Sequence, residues 1–63
     1  MRDIFKNLEI GQNFAERIDN NGTITYQKIK TTHAKIVGTS GKYQPHLIGN
    51  VKIFYGQNVI FKQ

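Results

Sequence analysis

A chain of 63 residues has room for one domain, and a domain of that size removes only about 60% of its unfolded surface from water, which excludes a large active-site architecture. With no cysteine, disulfide staples and thiolate zinc sites are excluded, so packing or a partner must hold the fold. Nine Lys or Arg against four Asp or Glu give a formal charge of +5 and an isoelectric point near 9.8, and no apolar run reaches the length of a membrane span or signal core, so the expectation is a soluble, cytoplasmic, basic protein spanning 1–63 as a single domain.

In chain order, Arg2 to Leu8 carries the one helical spacing, with Ile4, Phe5 and Leu8 at i, i+1 and i+4 and Asp3 placed to cap a first turn. Beyond it the glycines at 11, 22, 38, 41, 49 and 56 cut the chain into short pieces dominated by Ile, Val, Thr, Tyr and Phe, the pattern of strands separated by turns. Asp19-Asn20-Asn21-Gly22 is turn chemistry. A three-residue loop ending on Gly22 in a positive-φ position sets Ile18 opposite Ile24 and puts Phe14, Ile18, Ile24 and Tyr26 on one face, with Glu16 discordant. A two-residue Asn-Gly loop is the alternative and pairs Ile18 with Thr25. Because Ile24 and Tyr26 are even-numbered and Ile29 is odd, a β-bulge near Gln27 and Lys28 is expected.

Thr31-Thr32-His33 reads as a connection to a third strand with Ala34 and Ile36 on one face and Lys35 and Val37 on the other. Gly38 to His46 reads as a polar loop, and it holds the single proline, Pro45, which has no N–H to give to a central strand. Two strands about Tyr55-Gly56-Gln57-Asn58 form the expected closing hairpin, pairing Phe54 with Val59, Ile53 with Ile60 and Lys52 with Phe61. The expected fold is therefore all-β: a small five-stranded, partly open barrel of SH3-like or OB-like type with a short N-terminal helical turn. Its expected core is Leu8, Phe14, Ile18, Ile24, Ile36, Val51, Ile53, Val59 and Phe61.

Enzymatic chemistry finds little support. All four acids, Asp3, Glu9, Glu16 and Asp19, lie within the first nineteen residues, and His33 and His46 have no acid or thiol after Asp19 to complete a metal shell or a catalytic pair. No cofactor and no metal are expected. The stretch Gly38-Thr39-Ser40-Gly41-Lys42 lacks the first glycine of a phosphate loop, since position 36 is Ile, and Tyr43 stands where Ser or Thr is needed.

Charge placement is more informative. The first nineteen residues carry a net −1, whereas Asn20 to Gln63 contain Lys28, Lys30, Lys35, Lys42, Lys52 and Lys62 and no acid. Such a run favours phosphates or an acidic partner surface. If the second and third strands pair, Lys28, Lys30 and Lys35 come near one another with Tyr26 and His33 beside them, the mixture of ammonium and ring that binds nucleic acid with little sequence preference. Lys52 with Phe54 and Phe61 offers a second platform, and Lys42, Tyr43 and His46 a recognition loop. The site residues expected to contact nucleic acid or a protein partner are Lys28, Lys30, Lys35, Lys42, Tyr43 and Lys52; an edge-strand homodimer is a further expectation and a membrane is not.

The segments Leu8-Glu9-Ile10-Gly11-Gln12-Asn13-Phe14, Thr25-Tyr26-Gln27-Lys28-Ile29 and Thr32-His33-Ala34 together resemble a type of small β-meander protein encoded by bacteriophages and prophages, which opens with Leu-x-x-Gly-x-x-Phe, continues with a Tyr-x-Lys strand and a following Ala, and ends in a short Val- and Phe-containing hairpin. The resemblance implies an accessory protein of a phage, acting in the cytoplasm of a bacterial host. Such a protein would dock on an acidic face of a host enzyme or defence complex, an alternative to nucleic-acid binding that the same lysines would serve.

Overall fold

The computed structural model describes residues 2–16, 22–56 and 58–61; of Arg2, Ile60 and Phe61 only the backbone is described. The chain is mainly β. Among the described residues, six strands, β1 (Arg2–Ile4), β2 (Asn13–Ala15), β3 (Ile24–Lys28), β4 (His33–Thr39), β5 (Val51–Ile53) and β6 (Asn58–Phe61), form one antiparallel sheet in the order β1-β6-β2-β3-β4-β5. Two single 3₁₀ turns, Phe5–Asn7 and Pro45–Leu47, accompany them.

The expected helical turn is thus shorter than its apolar spacing suggested, because Arg2–Ile4 is drawn into the sheet as a sixth strand, paired with β6 in the register Asp3↔Val59. Asp3 still holds the turn that follows: its carboxylate accepts from the Ile4 backbone N–H at 2.8 Å and from the Asn7 side-chain amide at 2.9 Å.

The central meander follows the sequence reading more closely. Phe14 lies opposite Tyr26 and Asn13 opposite Gln27, so Phe14 and Tyr26 share the inner face as expected. This register is displaced by two residues from the one the three-residue loop implied, a shift that keeps every side chain on its face. The loop itself and Ile18 lie outside the described residues. Gly22 has φ +123°, and a Cβ there would fall onto the Ser40 carbonyl oxygen and within 2.9 Å of the Gly41 Cα; both the backbone angle and the close approach of the neighbouring loop demand glycine.

The bulge expected near Gln27 and Lys28 is not there; the irregularity lies between Thr25 and Tyr26, with its extra residue on β4. The β3–β4 register runs Thr25↔Gly38 and then Tyr26↔Ile36, leaving Val37 of β4 as the extra residue. Strand β3 needs no correction of its own because its inward series is Ile24, Tyr26 and Lys28: the lysine, not Ile29, occupies the inner position.

The closing hairpin does not form. β5 pairs with β4, with Ala34 opposite Lys52 and His33 opposite Ile53, whereas β6 inserts between β1 and β2. Phe54 is the reason. It leaves β5 and turns into the core at 1% exposure, carrying Tyr55-Gly56 away from the β5 edge, and the next segment then finds backbone partners on both sides where a hairpin would supply one.

The core is a four-ring cluster. Phe5 stacks on Phe54 (centroids 4.8 Å apart) and Phe14 on Tyr26 (5.3 Å), and the two stacks meet edge to face, Phe14 against Phe54 at 85° and Tyr26 against Phe54 at 83°. Edge contacts of this kind each add about 0.5–1.5 kcal/mol beyond burial. Leu8, Ala34, Ile36 and Val59 complete the cluster, with Ile24 and Leu47 packed against it. Val51 and Ile53, expected inside, are exposed, because pairing with Lys35 and His33 sets them on the outer face.

Candidate nucleic-acid interface

Lys28 is 4% exposed. Its ammonium donates to the carbonyl oxygens of Leu8 at 2.7 Å, Phe5 at 3.1 Å and Lys6 at 3.4 Å and lies 4.6 Å from the centroid of the Phe5 ring. The three donors of the ammonium thus meet three acceptors left by the 3₁₀ turn. None of these partners is a carboxylate, so the buried charge is solvated by peptide dipoles and not neutralised. The expectation that Lys28 stands in an exposed phosphate strip with Lys30 and Lys35 is corrected: inward alternation of β3 places it on the opposite face of the sheet from Lys35, which lies opposite Gln27 and Val51.

Lys52 also lies on the inner face, at the open side of the sheet. Its ammonium is 5.3 Å from the Phe54 ring centroid and 6.0 Å from that of Tyr26, and it forms an ion pair with Glu16 at 2.8 Å. The other Glu16 carboxylate oxygen accepts from the Tyr26 hydroxyl. Glu16, the discordant member of its face in the sequence pattern, thereby satisfies a buried phenol and a half-exposed ammonium at once. Burial, reinforced by the hydrogen bond to the Glu16 carboxylate and its charge, pushes the Tyr26 phenol far above the usual tyrosine range. With Phe54 and Tyr26 both buried, the second expected stacking platform is core; the Phe61 side chain lies outside the described residues.

The remaining expected contacts are dispersed. Lys30 is exposed in the bend between β3 and β4, and Lys35 is exposed on the outer face of β4. Lys42 and His46 are exposed, and Tyr43 half-buried, in the region after β4. That region lies at the far end of a seven-residue strand, about 20 Å from the β3–β4 bend at ~3.3 Å per residue.

What the fold does assemble is a cleft of about 460 Å³ at the β3–β4 end of the sheet, lined by Lys6, Lys28, Thr31, Thr32, Phe54 and Tyr55, with Gly56 at its rim. Among the described residues no carboxylate lines it. Lys30 precedes Thr31 directly, and Tyr55 is 70% exposed. The bend is held by Ile29 and Lys30 N–H groups donating to the His33 carbonyl at 2.9 and 3.2 Å. Phe54 is fixed against it by its own N–H donating to the Thr32 carbonyl at 2.8 Å. Sequence reasoning missed Lys6, Thr31, Thr32 and Tyr55; Lys6 belongs to the acid-containing third of the chain, and only the curl of the sheet brings it beside residues 31–32 and 54–56.

The outer edge of β5 is a second surface. Hydrogen bonds from Ile36 N–H to the Asn50 carbonyl and from Phe54 N–H to the Thr32 carbonyl flank Lys52, so the alternation of the antiparallel ladder points the backbone groups of Val51 and Ile53 away from β4. Among the described residues no strand pairs with that edge, and the two side chains are 56% and 48% exposed.

Among the described residues no group of His, Asp or Glu is placed to hold a metal ion, and no helix is long and apolar enough to cross a membrane. Comparison with protein families, curated proteins and solved structures finds no match for this chain.

Proposed function

We propose that the chain is a small, basic, non-enzymatic binding protein that contacts nucleic-acid phosphates and works in the cytoplasm. The observation that carries this reading is an end of the sheet where, among the described residues, Lys6 and the buried Lys28 line a cleft that no carboxylate lines, with exposed Lys30 next in the chain to its Thr31. Exposed Lys35 extends the positive surface along β4, and Lys42 with Tyr43 extends it at the far end. Ammonium groups supply point charge without bidentate geometry, so binding is expected to depend on phosphates and little on base sequence. We further read the sheet as a partly open barrel of SH3-like or OB-like type. Stacking of Phe5, which follows β1, on Phe54, which follows β5, supports this by bringing the two ends of the strand order together.

The test is a fluorescence-anisotropy titration of single- and double-stranded oligonucleotides against the wild type and the triple variant Lys6→Glu/Lys30→Glu/Lys35→Glu. All three side chains are exposed, so the variant is expected to fold and to lose binding.

The β5 edge favours a second reading, a phage-type modulator that adds a strand of a host protein to Val51–Ile53. A second copy of this chain is a weaker occupant, since two-fold pairing centred on Lys52 would set like charges opposite each other. No oligonucleotide binding at low salt, together with capture of one defined host protein after nuclease treatment, would put this second reading in first place.

A further inference from the structure

The cleft at the β3–β4 end has the two halves of a nucleotide-recognition site. One half is aromatic: Tyr55 stands at the cleft at 70% exposure, next in the chain to Phe54, which is core and held by three neighbouring rings. Gly56, beside Tyr55, has open space around a would-be Cβ among the described residues. The other half attracts anions. Lys28 holds a formal positive charge that no carboxylate neutralises, in a low-dielectric surround where a charge acts strongly on what enters beside it. Lys6 is exposed and has no acid partner among the described residues; Thr31 and Thr32 add hydroxyl groups.

Volume narrows the ligand. About 460 Å³ lies within the roughly 300–1,000 Å³ of pockets that hold small organic molecules; it admits one nucleotide unit and excludes a duplex. The Lys28 ammonium is already committed to three carbonyls and cannot leave them for a phosphate without stripping the 3₁₀ turn of its donors. Its part is therefore long-range attraction, and direct contact falls to the exposed Lys6 ammonium and the threonine hydroxyls.

We propose that this cleft is a site for one nucleotide unit, a base lying against Tyr55 and its phosphate held by Lys6 with Thr31 and Thr32. The unit comes either from a single strand, in which case the site rests on the reading of the chain as a nucleic-acid binder, or from a free nucleoside monophosphate.

Amide chemical shifts of the ¹⁵N-labelled protein, followed during titration with inorganic phosphate, adenosine, a nucleoside monophosphate and a trinucleotide, test this. The expected result is movement of the Thr31, Thr32 and Gly56 amides, with the monophosphate binding more tightly than either phosphate or adenosine. Tyr55→Ala and Lys6→Ala, both at exposed positions, should each weaken it by about tenfold or more, tenfold lying toward the lower end of the range for a lost stacking partner. A trinucleotide tighter than the monophosphate assigns the site to a strand, and the reverse order assigns it to the free nucleotide. Cleft amides that stay still with all four probes, or phosphate binding as tightly as the monophosphate with Tyr55→Ala unchanged, would overturn the proposal. If oligonucleotides bind through Lys30 and Lys35 while the cleft amides stay still, this inference falls and the broader nucleic-acid reading stands. If the monophosphate shifts the cleft while oligonucleotides do not bind, the broader reading falls and the cleft stands.

Discussion

Replacing Lys28 by Met keeps an unbranched apolar stem and removes the terminal ammonium with its charge and its three donors. The Phe5 carbonyl retains the Leu8 N–H at 3.1 Å, whereas the Leu8 carbonyl loses a 2.7 Å bond and the Lys6 carbonyl its longer one. Hydrogen bonds to a charged donor contribute about 1.5–3 kcal/mol each, so the two shorter ones represent roughly 3–6 kcal/mol. Relief of the cost of burying the ammonium offsets part of this, leaving an expected net loss of about 2–4 kcal/mol. Natural domains hold about 0.05–0.15 kcal/mol per residue, or roughly 3–9 kcal/mol for a chain of this length, so the substitution removes a large share of the total. In a domain this small the midpoint should fall by roughly 8–32 °C at ~4–8 °C per kcal/mol. Thermal and urea denaturation followed by circular dichroism, with Lys30→Met as the exposed control, measure this. The control should stay within about 0.5 kcal/mol of wild type. Should Lys28→Met not fold at all, the wild type still reports: a hydrogen-bonded, buried ammonium exchanges its protons slowly, so a Lys28 side-chain ¹⁵N signal should be visible near neutral pH. Equal stability of Lys28→Met and Lys30→Met, with no protected ammonium signal, would refute the argument.

Gly22→Ala should destabilise by about 2 kcal/mol or more, since a positive φ alone costs an L residue about 1–2 kcal/mol and the added Cβ meets the Ser40–Gly41 backbone; an unchanged urea midpoint would contradict the packing of that loop. The Tyr26 phenol, raised by burial and by Glu16, keeps its proton in the folded chain while the unfolded chain releases it near pH 10, so its contribution is fully present below about pH 10 and is lost as pH rises above that. Tyr26→Phe should accordingly lose less stability than wild type between pH 9 and 11, measured by urea denaturation at each pH. Glu16→Gln should cost under about 1 kcal/mol through the half-exposed Lys52 pair. Screening by 1 M salt should narrow the gap between that variant and wild type.

The extent to which this fold was legible in the sequence follows from what each residue type declares. Alternation of apolar and β-branched residues revealed β2, β3 and β4, and the pairing of Phe14 and Tyr26 on one face, because period two survives a register shift of two. Lys28 hid the rest of β3. A lysine at an inner position breaks the hydrophobic alternation, and the bulge was placed in β3 to repair a pattern that was intact; the true extra residue, Val37, is β-branched like its neighbours and declares nothing. The last hairpin failed for a related reason. Val51, Ile53, Val59 and Ile60 have strand composition on either side of a Gly-containing turn, and nothing local reveals that Phe54 will turn into the core and send β6 to the other end of the sheet. The site was legible only as a charge asymmetry. Lys30, Lys35 and Lys42 are surface groups as expected, but the cleft unites Lys6 with residues 31–32 and 54–56, a neighbourhood made by sheet curvature.

The segments 8–14, 25–29 and 32–34 take on a physical meaning in this frame. Leu8 is buried and its carbonyl receives the Lys28 ammonium. Gly11, at φ +97°, makes the turn that returns the chain to β2, its N–H donating to the Lys28 carbonyl at 2.7 Å. Phe14, Tyr26, Lys28 and Ala34 are all buried. These positions hold the fold, and the contacts proposed above fall to other, exposed residues, Lys6, Lys30, Lys35 and Tyr55 among them.

The salt dependence of oligonucleotide binding tests the central claim most directly. Each phosphate contact made by an ammonium contributes about −0.7 for a single strand to −0.9 for a duplex to the slope of log K against log salt concentration. Contacts by Lys6, Lys30 and Lys35 therefore predict a slope of roughly −2 to −3, falling by about one contact's share when Lys30 or Lys35 is replaced by Ala and unaltered by base sequence. Binding that is absent at low salt, or present with a slope near zero, would contradict the account.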